Sequence, residues 1–354
     1  MKVVEARNMS RTASIAAGVK NFRKALPLLA AFFLCLQAFG SATRTQTFAI
    51  QEGWNAVYLA VDPVEKDPDL LFAGLPVDIV AVFDVSKSTR QFSSNPDTDM
   101  LRQLGWGMWY APGRDDAFLS GLGAIYGNKA YLVHASESMQ LSIEGEVEFN
   151  QVWWKPSSYN LIGFTLDATA PPTFEQFFAG SSSHSGQAVY RLVGGAWRLV
   201  SDPSATLMKN GEAFWVYCEG SSDYQGPLAV TAIGRQGIAL EDSAGNLTLQ
   251  NDASYPLQPT IEHVLSGADF VPLSVLVDVI GEDQESLTRV AVPLGEGAWS
   301  QPLPPLESGN SIRVPLQARL AEITVPEVKS LLCIKTDVGT ETWVPVTGKR
   351  EDLK

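Results

Sequence analysis

The residue types that most often carry enzymatic chemistry are few and widely separated in this sequence. It contains three histidines, His134, His184 and His263, and no two of them stand at a metal-ligand spacing. His184 lies among serines in segment 181–186, but a serine nucleophile and its base are brought together by the fold rather than by adjacent loop positions. We therefore predict a solvated flexible loop at 181–186, and neither a zinc site of His and Cys nor a serine-hydrolase centre.

One acidic segment has half of the pattern of a calcium-binding loop. Residues 95–99 read Asn-Pro-Asp-Thr-Asp, which makes Asp97 and Asp99 the candidate metal ligands. The glycine expected at the sixth position is missing, and Trp106 stands at the twelfth position, where a bidentate glutamate belongs. We therefore predict a solvated acidic loop and no cofactor, with calcium as the alternative.

The clearest sign of a binding surface comes from aromatic residues. Trp106, Trp109 and Tyr110 lie close together, and Trp153 and Trp154 are adjacent. Neighbouring residues of a strand point to opposite faces, so in a strand one of the two indoles at 153–154 would face away from the other. Exposed planar rings stack on sugars, and these five residues are therefore the candidate glycan-binding residues.

The alternative is that recurring aromatic residues fill the core instead of binding a ligand. We favour the core for the tryptophans at repeated positions, namely Trp54, Trp109, Trp197 and Trp215. For Trp106 and for either Trp153 or Trp154, the sequence does not decide between a position in the core and a position on a ligand-binding surface.

The first 42 residues have the composition of a secretory signal peptide. A basic lead precedes an apolar run at 25–39, and small residues at 38–42 offer cleavage sites. The run is too short for a comfortable membrane span. We therefore predict cleavage and export, to the periplasm, the cell surface or the exterior, and no membrane span once the leader is removed.

Removal of the leader makes the chain strongly acidic. The whole chain has 26 Lys and Arg against 39 Asp and Glu, and the leader holds 6 and 1 of these. The remainder carries 20 against 38, which is a net charge of −18. A field of that sign repels nucleic acid, so nucleic acid is excluded as a partner.

Two cysteines remain after the predicted leader, Cys218 and Cys333, and both stand in apolar, strand-like runs. They fall in different predicted domains, and sequence spacing does not set the distance between two cysteines. We favour buried free thiols that behave as small hydrophobic residues, with a disulfide as the alternative.

The pattern of turns and short apolar runs predicts an all-β fold. Twenty-nine glycines and 21 prolines interrupt nearly every window before three helical turns could form. Short helices are expected only at 67–72 and at 173–178. The pair Gly194-Gly195 lies between two apolar runs and indicates a β-hairpin.

One pattern of strand-length blocks occurs twice. Segment 53–59 (Gly-Trp-Asn-Ala-Val-Tyr-Leu) returns as 158–164 (Ser-Tyr-Asn-Leu-Ile-Gly-Phe), and each is followed by an apolar run, a tryptophan and a closing Ala-aromatic pair. Such a repeat indicates a duplicated β-module, and the short alternating runs that follow indicate an antiparallel sandwich. The predicted domains are a signal peptide (1–42), a first β-module (43–149), a second β-module (150–233), an immunoglobulin-like β-sandwich (234–346) and a polar tail (347–354).

The motifs at Gly53-Trp54-Asn55 and at 211–216 (Gly-Glu-Ala-Phe-Trp-Val) resemble the Gly-Trp-Asn β-modules of large secreted and surface proteins of bacteria and archaea. The resemblance covers residues 47–230. It implies a multidomain extracellular protein, often with β-sandwich domains beside the modules. It carries no catalytic residues and no agreed ligand.

These observations favour a non-enzymatic exported protein with a structural, adhesive or interaction role at the bacterial envelope or outside it. Its partners would be glycans or other surface proteins. One alternative is a carbohydrate-binding protein that uses exposed tryptophans. The other is a glycan hydrolase with a pair of loop carboxylates, because the separation that this reaction needs is spatial and cannot be read from the sequence.

Overall fold

The computed structural model describes residues 42–87, 105–149, 151–232, 234, 236–241, 244–267, 269–280 and 287–353. The predicted signal peptide up to residue 41, and Asp97 and Asp99 of the predicted acidic loop, lie outside these ranges. In the described part, strands dominate, and helix is limited to two short α-helices and three short 3-10 turns. The all-β prediction is confirmed.

The described residues of the first module form seven strands and one α-helix. Its elements are β1 (Thr43–Ile50), β2 (Gly53–Leu59), β3 (Val61–Pro63), α1 (Pro68–Leu71), β4 (Val77–Phe83), β5 (Trp106–Tyr110), a 3-10 turn (Ala117–Leu119), β6 (Lys129–Ala135) and β7 (Met139–Val147). The strands form one sheet of order β1-β7-β3 and a second of order β2-β6-β4-β5. Phe48 and Ile143 of the first sheet pack against Val57, Val80 and Val133 of the second.

The second module repeats the larger sheet of the first. Its elements are β8 (Ser158–Ile162), α2 (Phe174–Phe178), β9 (Val189–Val193), β10 (Ala196–Leu199) and β11 (Phe214–Cys218). The sheet order is β8-β11-β9-β10, which matches β2-β6-β4-β5 strand for strand. In both modules a short helix precedes the strand that stands third in the sheet order. Helix α1 precedes β4, and α2 precedes β9.

The predicted helices and hairpin of the modules are present. The Asp67 side chain caps α1 by accepting from the Asp69 N–H at 2.9 Å, and Thr173 and Gln176 form a capping box at the start of α2. Strands β9 and β10 are joined by Gly194 and Gly195, both with positive φ. A two-residue hairpin with both central residues at positive φ is the turn that matches the twist of the strands.

The two related sheets pack on each other through an aromatic core. Trp54, Tyr110 and Leu132 of the first module meet Trp197 and Trp215 of the second. Trp215 is fully buried. Its ring centroid lies 6.0 Å from that of Trp197, in an edge-to-face arrangement that aromatic pairs favour.

The four tryptophans at repeated positions fill the core, as predicted. Trp54, Trp109, Trp197 and Trp215 are all buried. Three of them lie in the core between the modules, and Trp109 lies in the core of the first module.

The C-terminal part is a sandwich of two five-stranded sheets, of order β12-β14-β19-β16-β17 and β13-β21-β20-β15-β18. Leucine and valine side chains such as Leu249, Leu273 and Leu316 of the first sheet and Leu332 and Val344 of the second form its core. The strands are β12 (Leu228–Ala232), β13 (Ile238–Leu240), β14 (Gly245–Asn251), β15 (Pro259–Val264), β16 (Leu273–Ile280), β17 (Leu287–Pro293), β18 (Trp299–Pro302), β19 (Ser311–Ala318), β20 (Glu327–Thr336) and β21 (Glu341–Lys349), with 3-10 turns at Leu320–Glu322 and Glu351–Leu353.

Three local expectations need correction. The run over 228–232 was expected in the second module, but β12 pairs with β14 of the sandwich, because its alternate residues Leu228 and Val230 are buried in the sandwich core. Strand β21 extends through Lys349 into the predicted tail, where it pairs with the start of β20. Segment 151–155, which contains Trp153 and Trp154, is not a strand.

Candidate functional site

Two of the predicted sugar-binding residues, Trp109 and Tyr110, line a surface cleft of about 450 Å³ in the first module. Both side chains are buried all the same. The Trp109 Nε1–H donates a 2.7 Å hydrogen bond to Asp69 Oδ1, and the ring packs against Phe72 with centroids 5.4 Å apart. Trp109 therefore holds the Asp69 carboxylate at the cleft and does not present its ring to a ligand.

The other aromatic candidates do not form a shared platform. Trp106 is half-buried, and its ring contacts Phe83 at 5.1 Å and Trp215 at 6.5 Å between centroids. Trp154 is buried, and its Nε1–H donates to the Tyr224 carbonyl at 2.7 Å. Trp153 is 66% exposed, so of the five candidates it alone presents most of its surface to solvent.

His184 lies in the interior of the second module. The prediction of a solvated loop holds for Ser182, Ser185 and Gly186, which are exposed, but it was wrong for the histidine itself. Its side chain is 1% exposed, and its ring lies 4.0 Å from that of Trp154 and 5.4 Å from that of Phe178. The His184 Nδ1 is 2.7 Å from Ser181 Oγ. Burial lowers the pKa of His184 to about 4, so the ring is neutral at physiological pH.

The Ser181–His184 contact does not form a hydrolytic centre. A nucleophile must reach its substrate, and the Ser181 side chain is buried. The Ser185 N–H and the His184 N–H both donate to the Ser181 carbonyl, so the contact closes a tight turn. The spacing of three residues between Ser181 and His184 permits such a turn. No sequence signal predicted that the His184 ring would contact Trp154, which is thirty residues away in the chain.

The second module has a cleft of its own beside His184. We call it the His184 cleft; its volume is about 610 Å³. Its lining residues belong to α2, to the segment from His184 to Val189 and to the segment from Leu199 to Ser204. Backbone hydrogen bonds from Phe174 and Glu175 to the carbonyls of Thr206 and Pro203 hold α2 against the last of these segments.

The clefts of the two modules occupy equivalent places in the repeat. Each lies between the module's short helix and the chain that follows the second hairpin strand, β5 in the first module and β10 in the second. Each has two carboxylates in its lining, Asp67 and Asp69 in one and Glu175 and Asp202 in the other. The repeated arrangement of helix and sheet therefore has a cleft in each module.

Three of the four carboxylates in these cleft linings, Asp67, Asp69 and Asp202, accept hydrogen bonds. Asp202 Oδ1 accepts from the hydroxyl and the N–H of Ser204 and from the Ala205 N–H. The Ser204 hydroxyl is the main reason that the pKa of Asp202 is lowered. A general acid for glycoside hydrolysis needs a raised pKa, so Asp202 does not fit that role.

The remaining predicted groups do not converge on a site in the described part of the chain. Cys218 and Cys333 are buried free thiols, and burial raises the pKa of both. His263 Nδ1 is 2.6 Å from the Gly297 carbonyl oxygen. Over the ranges that the structure describes, no group of three or more His, Cys, Asp and Glu could hold a metal ion.

The outer hairpin of the sandwich, formed by β16 and β17, carries exposed apolar side chains on both faces. Val277 and Val290 are directly opposite each other on the face that continues from the core residue Leu273, and both are 41% exposed. On the other face, Ile280 and Leu287 are also exposed. Strand β17 is the last strand of its sheet, and no sequence pattern identified this surface in advance.

Comparisons with known proteins give only distant structural similarity. No family model matches the chain, and none of the curated proteins matches it. A pilin of Salmonella enterica in complex with its chaperone matches with 12% identity and a TM-score of 0.24, over 36% of this chain and 56% of that chain. This chain therefore spans just over half of the length of that solved structure.

Two other solved structures are similar at the same distant level. A PapD-like domain of human CEP192 matches at 9% identity with a TM-score of 0.20, over 35% of this chain and 84% of that chain. The collagen-binding domain of the surface protein RspB of Erysipelothrix rhusiopathiae matches at 8% identity with a TM-score of 0.16, over 87% and 91%. In the described residues, no helix has both the length and the apolar character to cross a membrane.

Proposed function

We propose that this chain is an exported, non-enzymatic interaction protein of structural or adhesive type, and that the outer hairpin is its assembly surface. The single observation that carries the proposal is the exposed edge strand β17 with its apolar faces. A strand at the edge of a sheet presents backbone N–H and C=O groups that can pair with another chain. Long, apolar edges are avoided in proteins that stay monomeric.

The valines of this hairpin extend the core face of the sandwich beyond its covered part. Register places Val275 opposite Val292 and Val277 opposite Val290, and directly opposite residues lie on one face. Val275 still packs against the sandwich core, whereas Val292 is 44% exposed. An added strand would pair with the backbone of β17 and continue this face sideways, so that its own apolar side chains would pack beside Val290 and Val292.

Charge does not oppose a second copy of this chain at the outer hairpin. The protein is acidic overall, with 39 acidic against 26 basic residues, so two copies repel each other over most of their surfaces. The described part of the hairpin is neutral, because its one acid, Asp278, and its one base, Arg289, form a pair at 2.7 Å. This pair leaves an apolar, uncharged strand where two copies can approach.

The sequence of β17 is compatible with antiparallel pairing to itself. Pairing across a two-fold axis at Val290 would place Arg289 of one copy opposite Ala291 of the other, so that like charges do not face each other. The result would be one continuous ten-stranded sheet through the two copies, since each contributes five strands. An isologous contact of this kind closes as a dimer.

The oligomeric state in solution tests the proposal. Sedimentation velocity of the full chain should show a dimer, and Val290→Lys should weaken it by at least about tenfold, because two ammonium groups would meet at the axis. Val64→Lys, at a valine of the first module that is 68% exposed against 41% for Val290, is the control and should leave the dimer intact. A monomeric wild-type protein, or a dimer unchanged by Val290→Lys, would contradict the proposal.

A further inference from the structure

The His184 cleft has the dimensions and the mixed lining of a small-molecule site. Its volume of about 610 Å³ falls within the range of ligand pockets, about 300–1,000 Å³, which combine apolar walls with a few placed polar groups. Phe178 and Leu199 supply apolar surface, and Glu175, Gln187, Ser201 and Asp202 supply polar groups. This inference is independent of the proposed assembly through the outer hairpin.

Within the described part of the chain, His184 places a buried ring nitrogen without a hydrogen-bond partner in the wall of this cleft. Its Nδ1 is bonded to Ser181, but its Nε2 has no hydrogen-bond partner among the described residues. The side chain is 1% exposed and forms part of the cleft wall. A buried polar atom without a partner is destabilising, and a ligand hydroxyl would remove that cost once a shift of the cleft wall opened Nε2 to the cleft.

The polar groups of the cleft suit a neutral ligand with many hydroxyls better than a charged ligand. Asp202 already accepts three hydrogen bonds through one oxygen, which fixes its carboxylate and leaves the other oxygen for a ligand. Ser201 and Gln187 add a hydroxyl and an amide, each of which can donate and accept. Among the described residues, the lining contains no Lys or Arg, so an anionic ligand is disfavoured.

We propose that the His184 cleft binds one unit of a neutral saccharide. The ring would lie against the exposed side chain of Leu199, with its hydroxyls donating to the Glu175 and Asp202 carboxylates, and a small shift of the cleft wall would bring one hydroxyl to His184 Nε2. The residues involved differ from the tryptophans that the sequence singled out. The equivalent cleft of the first module, with Asp69 held by Trp109, has the same plan.

Calorimetric titration of the full chain at neutral pH tests this site. The probes are maltotriose, cellotriose and chitotriose, with spermidine as a cationic probe. We expect saturable binding of at least one trisaccharide with a Kd of about 1 mM or tighter. Spermidine binding without trisaccharide binding, or no saturable binding by any trisaccharide, would overturn the proposal.

Two variants locate the binding. Ser201→Trp fills the cleft from an exposed position and should weaken trisaccharide binding by more than about tenfold, and Glu175→Gln should weaken it by about tenfold through loss of a charged acceptor. Glu137→Gln changes an exposed acid in the turn between β6 and β7 and should have no effect. If Ser201→Trp does not fold, Glu175→Gln carries the test, and affinity undiminished in the folded cleft variants would overturn the assignment.

Discussion

Asn55 of the first module and Asn160 of the second make the same set of hydrogen bonds to the turn that precedes their strands. The Asn55 Oδ1 accepts from the Gln51 N–H at 2.9 Å, and its Nδ2 donates to the carbonyls of Gln51 and Gly53. The Asn160 Oδ1 accepts from the Lys155 N–H at 2.8 Å, and its Nδ2 donates to the carbonyls of Lys155 and Ser158. The asparagine of each repeat therefore fixes the entry into the first strand of its sheet.

We expect Asn160→Ala to lower the free energy of unfolding by about 1–3 kcal/mol, because it leaves backbone groups of a partly buried turn without partners. Urea denaturation of the full chain measures the change. Asn246→Ala, at a half-buried asparagine of β14, should change the stability by no more than about 0.5 kcal/mol. Equal effects of the two substitutions would show that the turn contacts of Asn160 are unimportant.

Trp215 joins the two modules, and its truncation should be costly. We expect Trp215→Ala to destabilise the protein by about 3–5 kcal/mol, since the side chain is fully buried between the two sheets. Trp153→Ala is the matched control, because the Trp153 ring is 66% exposed, and it should be nearly neutral. If the two variants unfold at the same urea concentration, the modules do not depend on this aromatic core.

Burial of His184 should make the protein less stable in acid. The unfolded side chain gains a proton near pH 6.5, whereas the folded one does so only near pH 4. Between these values the unfolded state binds more protons, so stability falls as the pH is lowered, by about 3 kcal/mol in total from this group.

The pH dependence of unfolding, compared between the wild type and His184→Gln, isolates this contribution. The variant cannot take up that proton on unfolding, so its stability should change less between pH 6.5 and pH 4. The comparison cancels the titration of the carboxylates, which both proteins share. Parallel stability curves over this window would mean that His184 is not the buried neutral group described above.

Cys218 and Cys333 should behave as unreactive thiols in the folded protein. Both are buried and free, and the raised pKa of each thiol leaves little of the thiolate that reacts. We expect slow labelling of both by a thiol reagent in native buffer and rapid labelling in denaturant. Absence of labelling at both positions in denaturant, with recovery after reduction, would instead reveal a disulfide.

The local pattern of the sequence was enough to predict the all-β class, the duplicated sheet and several short elements. The turn at Gly194-Gly195 is an example, because only residues that tolerate positive φ suit a two-residue hairpin. The capped helices at Asp67 and Thr173 are others, since capping depends on residues within one turn. Burial of the repeated tryptophans followed from their recurrence at equivalent places in the two modules.

Tertiary packing decided what the sequence could not. Leu228 and Val230 have an alternation that suits either domain, and only the available sheet edge placed β12 in the sandwich. His184 stands among serines but is enclosed by Trp154 and Phe178, which are brought to it by the fold of the second module. The exposed valines of the outer hairpin have the pattern of a core strand, and their exposure depends on which strands the opposite sheet supplies. Periodicity specifies which side chains share a face, but the neighbouring element determines whether that face is covered.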